Sequence, residues 1–305
     1  MAHSDSLWPS LPLEEWQDTY LTLHLWTQIV GKIRMALSPP LNHWWHATLY
    51  VNSRGLTTSP IPYPDGVFEI QFDLLEHRLE ISTSSGERHA LPLGPFPVAE
   101  FYARLMTALH GMGIEVEINP KPQEMAMTTP FDVDYEHASY DREYVRRFFQ
   151  VLVSTGSVLQ EFRGRFIGKC SPVQFFWGSF DLACTRFSGR PAMPPRRGAI
   201  TGPAYSHEVI SAGFWPGAGF EGPAFYAYAA PSPPGLESAA VRPAGAAWNQ
   251  QLGEFILMYD TVRTSQSPRD TLLEFFESTY EAAARLAKWD RAALEAPGGA
   301  EEAAR

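Results

Sequence analysis

Residues 67–75 read VFEIQFDLL, and this stretch decides how the first half of the chain folds. Phe68, Ile70 and Phe72 alternate with other residues, which is the two-residue period of a strand with one buried face. A second β-rich segment, HRLEISTS at residues 77–84, comes next, and the pair Ser85-Gly86 after it is a turn signal, because glycine adopts backbone angles that other residues avoid. The stretch therefore predicts one strand of an antiparallel sheet.

Helical spacing flanks the strands of this first half. In residues 13–37 apolar side chains recur every three or four positions, and Ser38-Pro39-Pro40 ends the pattern because proline lacks a backbone donor. Residues 97–112 return to the same spacing. The predicted order is helix, several strands, helix and a final strand. The strands are residues 46–53, 67–75, 77–84, 87–93 and 114–120.

The second half repeats this order. Its predicted helices are residues 141–162, residues 171–185 and a last helix that opens at Ser267. Three strands are predicted between them, at residues 207–214, 223–230 and 254–260. The expected fold class is α+β, with two similar lobes of antiparallel sheet packed with helices. The polar, proline-containing residues 120–139 suggest a boundary between two lobes, at residues 1–125 and 126–305. The alternative is that the chain forms one compact unit.

The composition limits the classes of partner. The 305 residues carry a formal net charge of -10, which argues against nucleic acid and against an anionic membrane surface, since both bind through Lys and Arg. We find no secretory signal and no apolar run near the roughly 20 residues that span a bilayer. Two cysteines, Cys170 and Cys184, in so large a chain predict free structural thiols and a cytoplasmic protein.

No motif indicates a metal or a cofactor. His43 and His46 in NHWWH could share a metal only in a tight turn, and no third ligand stands at a recognisable spacing. The glycine-rich run GFWPGAGFEG joins two predicted strands and leads into no helix, so it lacks the context of a nucleotide site. We therefore expect no cofactor.

The predicted helix at residues 171–185 has a polar and aromatic stripe. Such a stripe suits a small polar ligand, since a ring supplies contact area and polar groups supply orientation. It could equally be a packing face, with Asp181 paired to Arg186 or Arg190. The stripe consists of Gln174, Trp177, Asp181 and Cys184.

The dipeptide His207-Glu208 looks like an acid-base pair at the start of a predicted strand. Successive side chains of a strand point to opposite faces, so these two cannot act side by side while the strand stays regular. His207 would instead share a face with Tyr205. This separation weakens the interpretation as an enzyme.

Several long runs resemble an uncharacterised bacterial family, catalogued as a domain of unknown function. They are LHLWTQIVGKIRMAL, NHWWHATLYVNSRGLTTSPIPY, GKCSPVQFFWGSFDLACTRFSGR, AYSHEVISAGFWPG and AFYAYAAPSPPG. The likeness extends over nearly the whole chain. It implies a single-chain soluble protein without an assigned activity, and it supplies no catalytic residues.

The favoured hypothesis is a protein that binds a small polar or amphipathic ligand in an aromatic-lined cleft between its lobes. One alternative is a hydrolase- or isomerase-type enzyme, with His207 or His46 as general base and Asp181 or Glu208 as the orienting carboxylate. Another is a protein-interaction module with exposed aromatic residues. The predicted ligand-binding residues are His46, Arg54, Trp177, Asp181, Arg186, His207, Trp215 and Tyr226.

Overall fold

The fold was analysed in a computed structural model, which describes residues 7–193 and 197–297. The chain divides into two compact units. The first consists of Met1–Val153 and Gln174–Asp181, and the second consists of Ser154–Val173 and Leu182–Arg305. The predicted lobes at 1–125 and 126–305 divide the chain earlier than these units do, and as separate domains they stay a prediction.

The first unit contains a sheet of short antiparallel strands together with long helices. The sheet order is β1-β2-β4-β5-β6, and β3 pairs with β4. The elements, in chain order, are α1 (Gln17–Leu37), β1 (Tyr50–Val51), β2 (Gly55–Thr57), β3 (Ile61–Tyr63), β4 (Gly66–Asp73), β5 (Arg78–Thr83), β6 (Arg88–Pro92), α2 (Val98–Gly111) and α3 (Arg142–Gly164), which continues into the second unit.

The alternation at residues 67–75 is confirmed in β4. Phe68, Ile70 and Phe72 are buried. Two of them lie opposite apolar residues of β5, in the pairs Ile70↔Ile81 and Phe72↔Leu79. Burial of apolar side chains on one face is the main force that holds such a sheet to its helices. Helix α1 supplies much of the apolar cover, since Trp26 at its middle is fully buried and stacks on Phe101 of α2.

The second sheet has the order β11-β12-β10-β9-β8-β7 and is also antiparallel. Within the second unit, α6 packs on this sheet through Phe276, whose ring contacts that of Phe225 in β10. The remaining elements are β7 (Gln174–Phe176), β8 (Asp181–Pro191), α4 (Thr201–Ala204), β9 (His207–Trp215), β10 (Ala224–Ala230), β11 (Ala247–Asn249), β12 (Glu254–Met258), α5 (Tyr259–Arg263), α6 (Pro268–Leu286) and α7 (Arg291–Leu294).

The predicted fold class is confirmed, because the chain is α+β with two antiparallel sheets. The predicted helix at residues 171–185 is wrong: this segment forms β7, a turn and the first part of β8. Aromatic residues spaced three and four apart fit a hairpin as well as a helix. The turn of this hairpin is closed by a hydrogen bond from the Phe180 N–H to Phe176 O at 2.7 Å. Consequently Cys170 does not precede a helix and instead forms an antiparallel bridge with Arg186.

Two predicted strands also differ. Residues 114–120 form no strand, because α1 side chains take up the backbone groups of this region: Lys32 Nζ donates to Asn119 O and Lys121 O. In residues 46–53 only Tyr50–Val51 is a strand, because the chain is still in a turn at residues 46 and 47 and Leu49 makes only an isolated bridge to Phe175.

Candidate functional site

Each unit contains four of the predicted site residues. In the first unit, Arg54 donates through Nε to the buried carboxylate of Asp73 at 2.7 Å. Burial disfavours the charge of Asp73, but Arg54 and the backbone N–H groups of Glu76 and Leu75 outweigh this effect and lower the pKa of Asp73. Arg54 therefore has a structural partner that fixes the turn after β4.

Trp177 is buried and held at both ends. Its indole Nε1 donates to Ala47 O at 2.6 Å, and its ring lies against Gly31 of α1. A side chain at position 31 would collide with this ring, since an added Cβ would come within 2.2 Å of Trp177 Cδ1. The contact with Ala47 places Trp177 beside the loop that carries His46.

Asp181 is a buried carboxylate at the first position of β8. The Ser179 hydroxyl donates to its Oδ1. Burial and then the charge of Asp181 raise the pKa of Tyr20. Asp181 therefore acts electrostatically on Tyr20 of α1.

His46 is buried and neutral near physiological pH. Its Nδ1 accepts the Leu41 N–H at 3.1 Å, so the proton of the neutral ring is on Nε2. Burial and the nearby Arg34 lower the pKa of His46. No carboxylate hydrogen-bonds to His46 within residues 7–193 and 197–297, which removes the orienting group that the enzyme alternative requires of this residue.

The loop before His46 has an unusual backbone. His43 and Trp44 have φ values of 55° and 64°, in the left-handed region that side chains with a Cβ rarely occupy. Strained residues of this kind persist only where surrounding contacts hold them, and they concentrate at functional sites. The ring of Trp44 stacks on that of His46, with centroids 5.0 Å apart.

His46 of this loop belongs to a largely buried polar group that we call the Gln174 centre, made of Arg34, His46, Tyr50 and Gln174. Arg34 Nε donates to His46 O at 2.9 Å, and its guanidinium lies over the Tyr50 ring, 5.3 Å from the ring centroid. Gln174 Nε2 donates to Thr48 Oγ1 at 2.9 Å and lies 3.4 Å from the Tyr50 hydroxyl. The centre therefore extends along one tyrosine side chain.

Two polar atoms of the Gln174 centre are unsatisfied. Arg34 Nη1 and Gln174 Oε1 are buried and have no hydrogen-bond partner in the part of the chain that the structure describes. Arg34 also has no carboxylate partner there, although its side chain is only 7% exposed. Burial lowers the pKa of Arg34, and Tyr50 partly opposes this. Buried charges are normally paired, so this guanidinium requires an explanation.

The sequence prediction included His46 and omitted Arg34, Tyr50 and Gln174 as ligand-binding residues. One signal for Arg34 was available, since it interrupts the apolar run IRMAL at the end of α1. Gln174 was noted only within the helix that the structure does not contain. Tyr50 reads as an ordinary strand residue, and no sequence signal distinguishes it.

In the second unit, Arg186 is buried for structural reasons. Its guanidinium lies 3.5 Å from the Phe162 ring centroid and 4.2 Å from that of Tyr280. It pairs with both carboxylate oxygens of Glu277 at 3.3 Å and donates to Phe162 O. The pairing Arg186↔Ile210 places it on the opposite sheet face from Tyr226, whose partner in β9 is Gly213.

His207, Trp215 and Tyr226 share one face of the second sheet, as the strand period requires. His207 and Trp215 stand at the two ends of β9, which at about 3.3 Å per residue separates their backbones by roughly 26 Å. A small molecule cannot contact both. The predicted separation of His207 from Glu208 is observed, because Glu208 binds Arg190 and Ser188 while His207 Nδ1 contacts Ser206.

A surface groove of about 490 Å³ lies between β6 and α2. Its polar side chains are exposed, and Arg104 is already paired with Glu100. None of the predicted site residues lines it. The groove is formed by Glu87, His89, Leu91, Ala103, Arg104, Thr107, Ala108, Gly111 and Met112.

The described residues contain neither a candidate metal cluster nor a candidate membrane-spanning helix. No group of three or more His, Cys, Asp or Glu side chains in residues 7–193 and 197–297 could hold a metal ion. Over the same residues, no helix has both the length and the apolar character that a bilayer span requires.

The comparisons with known proteins identify a family without an activity. No curated protein matches the chain, and no solved structure matches it. A family model does match, over residues 8–296, which is nearly the full length. The chain therefore belongs to DUF5996, a family of unknown function.

Proposed function

We propose that this protein binds a small polar molecule at the Gln174 centre. The observation that carries the proposal is Arg34, a buried guanidinium with one donor unpaired and no carboxylate paired with it in the described residues. A buried charge without a counter-ion is destabilising, and a ligand with a negatively charged oxygen would compensate it.

The second unpaired atom specifies the rest of the ligand. Gln174 Oε1 can only accept, so the bound molecule must present a hydroxyl or amine hydrogen to it. The half-buried ring of Tyr50 lies under the Arg34 guanidinium, and its hydroxyl adjoins Gln174, so this ring offers apolar contact beside both groups. The ligand class is therefore a small hydroxylated or aminated acid, with a carboxylate or phosphate for Arg34.

Binding is better supported than acid-base catalysis. A general base needs a histidine within reach of the proton and usually a carboxylate that orients it. His46 is held by Leu41 through Nδ1, and in the described residues it has no carboxylate partner. Recognition requires only the donors and acceptors that the centre contains.

The first experiment is a thermal-shift screen with hydroxy acids, amino acids and sugar phosphates at millimolar concentration. A ligand that binds the folded state alone raises the melting temperature by mass action. We expect at least one acid of these classes to raise it, and uncharged analogues to fail. If no acid raises the melting temperature at concentrations up to about 10 mM, the proposal is rejected.

The second experiment places a hit at the centre by calorimetry. Gln174→Met and Arg34→Lys should each weaken binding by at least about tenfold, since each removes a hydrogen bond to a polar or charged group. The matched control is Gln71→Met, which removes a glutamine of the same unit that accepts from Asn52 Nδ2 at 2.8 Å. Equal losses in Gln174→Met and Gln71→Met would assign the binding to another place.

A further inference from the structure

The two cysteines of the second unit lie in contact. Cys170 Sγ and Cys184 Sγ are 3.5 Å apart, and both residues are free thiols. A disulfide has a sulfur-sulfur distance of about 2.05 Å, so an approach of roughly 1.5 Å would close the bond. The segment that carries Cys170 is already aligned with β8, since the Ser171 N–H donates to Thr185 O at 2.8 Å.

The two thiols differ in exposure and in chemistry. Cys170 is half-buried, whereas Cys184 is fully buried. Contact with Cys184 and the positive charges of Arg186 and Arg163 lower the pKa of Cys170, against the effect of burial. Contact with Cys170 and burial raise the pKa of Cys184. Cys170 is thus the more acidic and the more exposed of the two thiols.

We infer that Cys170 and Cys184 are a two-thiol oxidation site, at which a hydroperoxide converts the pair to an intramolecular disulfide. The Cys170 thiolate attacks the outer peroxide oxygen, the O–O bond breaks, and an alcohol or water leaves after protonation. The resulting Cys170 sulfenic acid is then attacked by Cys184 sulfur. Its S–O bond breaks, the Cys184 proton goes to the departing hydroxyl, and water is released.

The electron balance is closed by the peroxide alone. The two thiols together lose two electrons and two protons, and the hydroperoxide is reduced to an alcohol and water. The neighbouring side chains favour the first step at Cys170, because Arg186 and Arg163 stabilise the thiolate. Cys184 is shielded from the oxidant by burial, so it acts second, as the resolving thiol.

The disulfide would link Cys170, in the segment that precedes β7, to Cys184 in β8. Closing this loop of about fifteen residues restricts the unfolded chain, which should raise the melting temperature of the oxidised protein by on the order of 5 °C. The same segment adjoins Arg186 through the bridge Cys170↔Arg186. The melting temperature would therefore indicate whether the two cysteines are oxidised.

The test uses the reduced full-length protein, treated with hydrogen peroxide and followed by intact mass spectrometry and by thiol titration after denaturation. The wild type should lose both thiols and two hydrogen atoms, without a lasting gain of oxygen. Peptide mapping should recover Cys170 linked to Cys184. In Cys184→Ala the reaction should stop at a sulfenic acid on Cys170, trapped by a dimedone probe.

The matched variant is Cys170→Ser, in which the buried Cys184 should react at least about tenfold more slowly than the wild-type pair. Equal rates for Cys170→Ser and the wild type would overturn the inference. It would equally fail if the wild type accumulated oxygen atoms and formed no linked peptide. Because the mapping needs no substitution, the inference stays testable even if a variant does not fold.

Discussion

Two buried glutamines of the first unit, Gln28 and Gln174, are both fully inaccessible to solvent, yet they are bound in opposite ways. Gln28 Nε2 donates to Gln123 O at 2.8 Å, and Gln28 Oε1 accepts the Gln123 N–H at the same distance. Gln174 uses its amide donor on Thr48 and leaves Oε1 unsatisfied. One residue completes its hydrogen bonds within the protein, and the other does not.

The difference separates architecture from recognition. Gln28 belongs to a row on α1 that fastens other segments: His24 Nε2 donates to Gly178 O at 2.9 Å, and Lys32 donates to Asn119 O. Because Gly178 O can only accept, His24 Nε2 carries the proton, and its 3.2 Å contact with Gln28 Nε2 is not a hydrogen bond. Gln28 is fully satisfied in this row, whereas His24 Nδ1 is buried without a hydrogen-bond partner in the described residues, so the contrast with Gln174 rests on Gln28 alone.

The largest effect is expected for Gly31→Ala, at a position between Gln28 and Arg34 on α1. Helix propensity alone would favour alanine by about 1 kcal/mol. The added Cβ would lie 2.2 Å from Trp177, which cannot retreat without losing its bond to Ala47 O. Chemical denaturation should show a free energy of unfolding lower by about 3 kcal/mol or more. Unchanged stability would mean that the Trp177 ring can move away from position 31 at little cost.

A pH titration tests the row on α1 at His24, which donates through Nε2 to Gly178 O. Burial lowers the pKa of His24 to about 4, from an ordinary value of 6.5, so the folded state keeps the ring neutral. Between these values the unfolded chain binds a proton that the folded chain does not. Stability therefore falls as pH is lowered through this window, by up to about 3 kcal/mol, and is unaffected above it.

The comparison variant for this titration is His24→Gln, which can still donate to Gly178 O and does not titrate. Urea unfolding of both proteins at several pH values between 7.5 and 4 cancels the contribution of the other histidines. The wild type should lose more stability than the variant between about pH 6.5 and 4. Parallel pH profiles would show that His24 does titrate in the folded state.

Gln28→Met removes both hydrogen bonds to Gln123 while preserving most of the side-chain volume. We expect the free energy of unfolding to fall by about 2 kcal/mol, since each bond contributes about 1 kcal/mol net. Hydrogen exchange at the Gln123 amide should also accelerate relative to the wild type. If that amide stays protected, Gln28 does not hold residues 119–123 in place.

The smallest effect is expected for Gln174→Met. The loss of the bond to Thr48 is offset because the unpaired Oε1 is no longer buried, so stability should stay within about 1 kcal/mol of the wild type. A variant that is no less stable and yet binds ligand weakly is the usual behaviour of a functional position. A loss as large as that of Gln28→Met would abolish the distinction between the two glutamines.

The elements with strong periodicity were predictable from the sequence. Helices α1, α2, α3 and α6 lie close to their predicted positions because each has an apolar stripe, and β4 follows its alternation. The hairpin of β7 and β8 was missed, since rings at three- and four-residue spacing fit both periods. The irregular residues 114–120 were missed because their backbone partners are side chains of α1.

The candidate site was predictable only in part. His46 was predicted, and Trp177 lies beside its loop through Ala47. Arg54 and Arg186 attracted attention as charged residues, and each has a carboxylate partner in Asp73 or Glu277. Charge alone cannot show whether a partner exists, and for that reason Arg34 was overlooked.

The sequence by itself determined the fold class and most long elements, because the spacing of apolar residues encodes which face of a helix or strand is buried. Only the tertiary structure decided which buried polar groups are satisfied. Gln28 finds its partner 95 residues along the chain, and Gln174 finds Thr48 at a separation of 126. Hydrogen bonds between such distant residues depend on how the elements pack, which local periodicity does not specify.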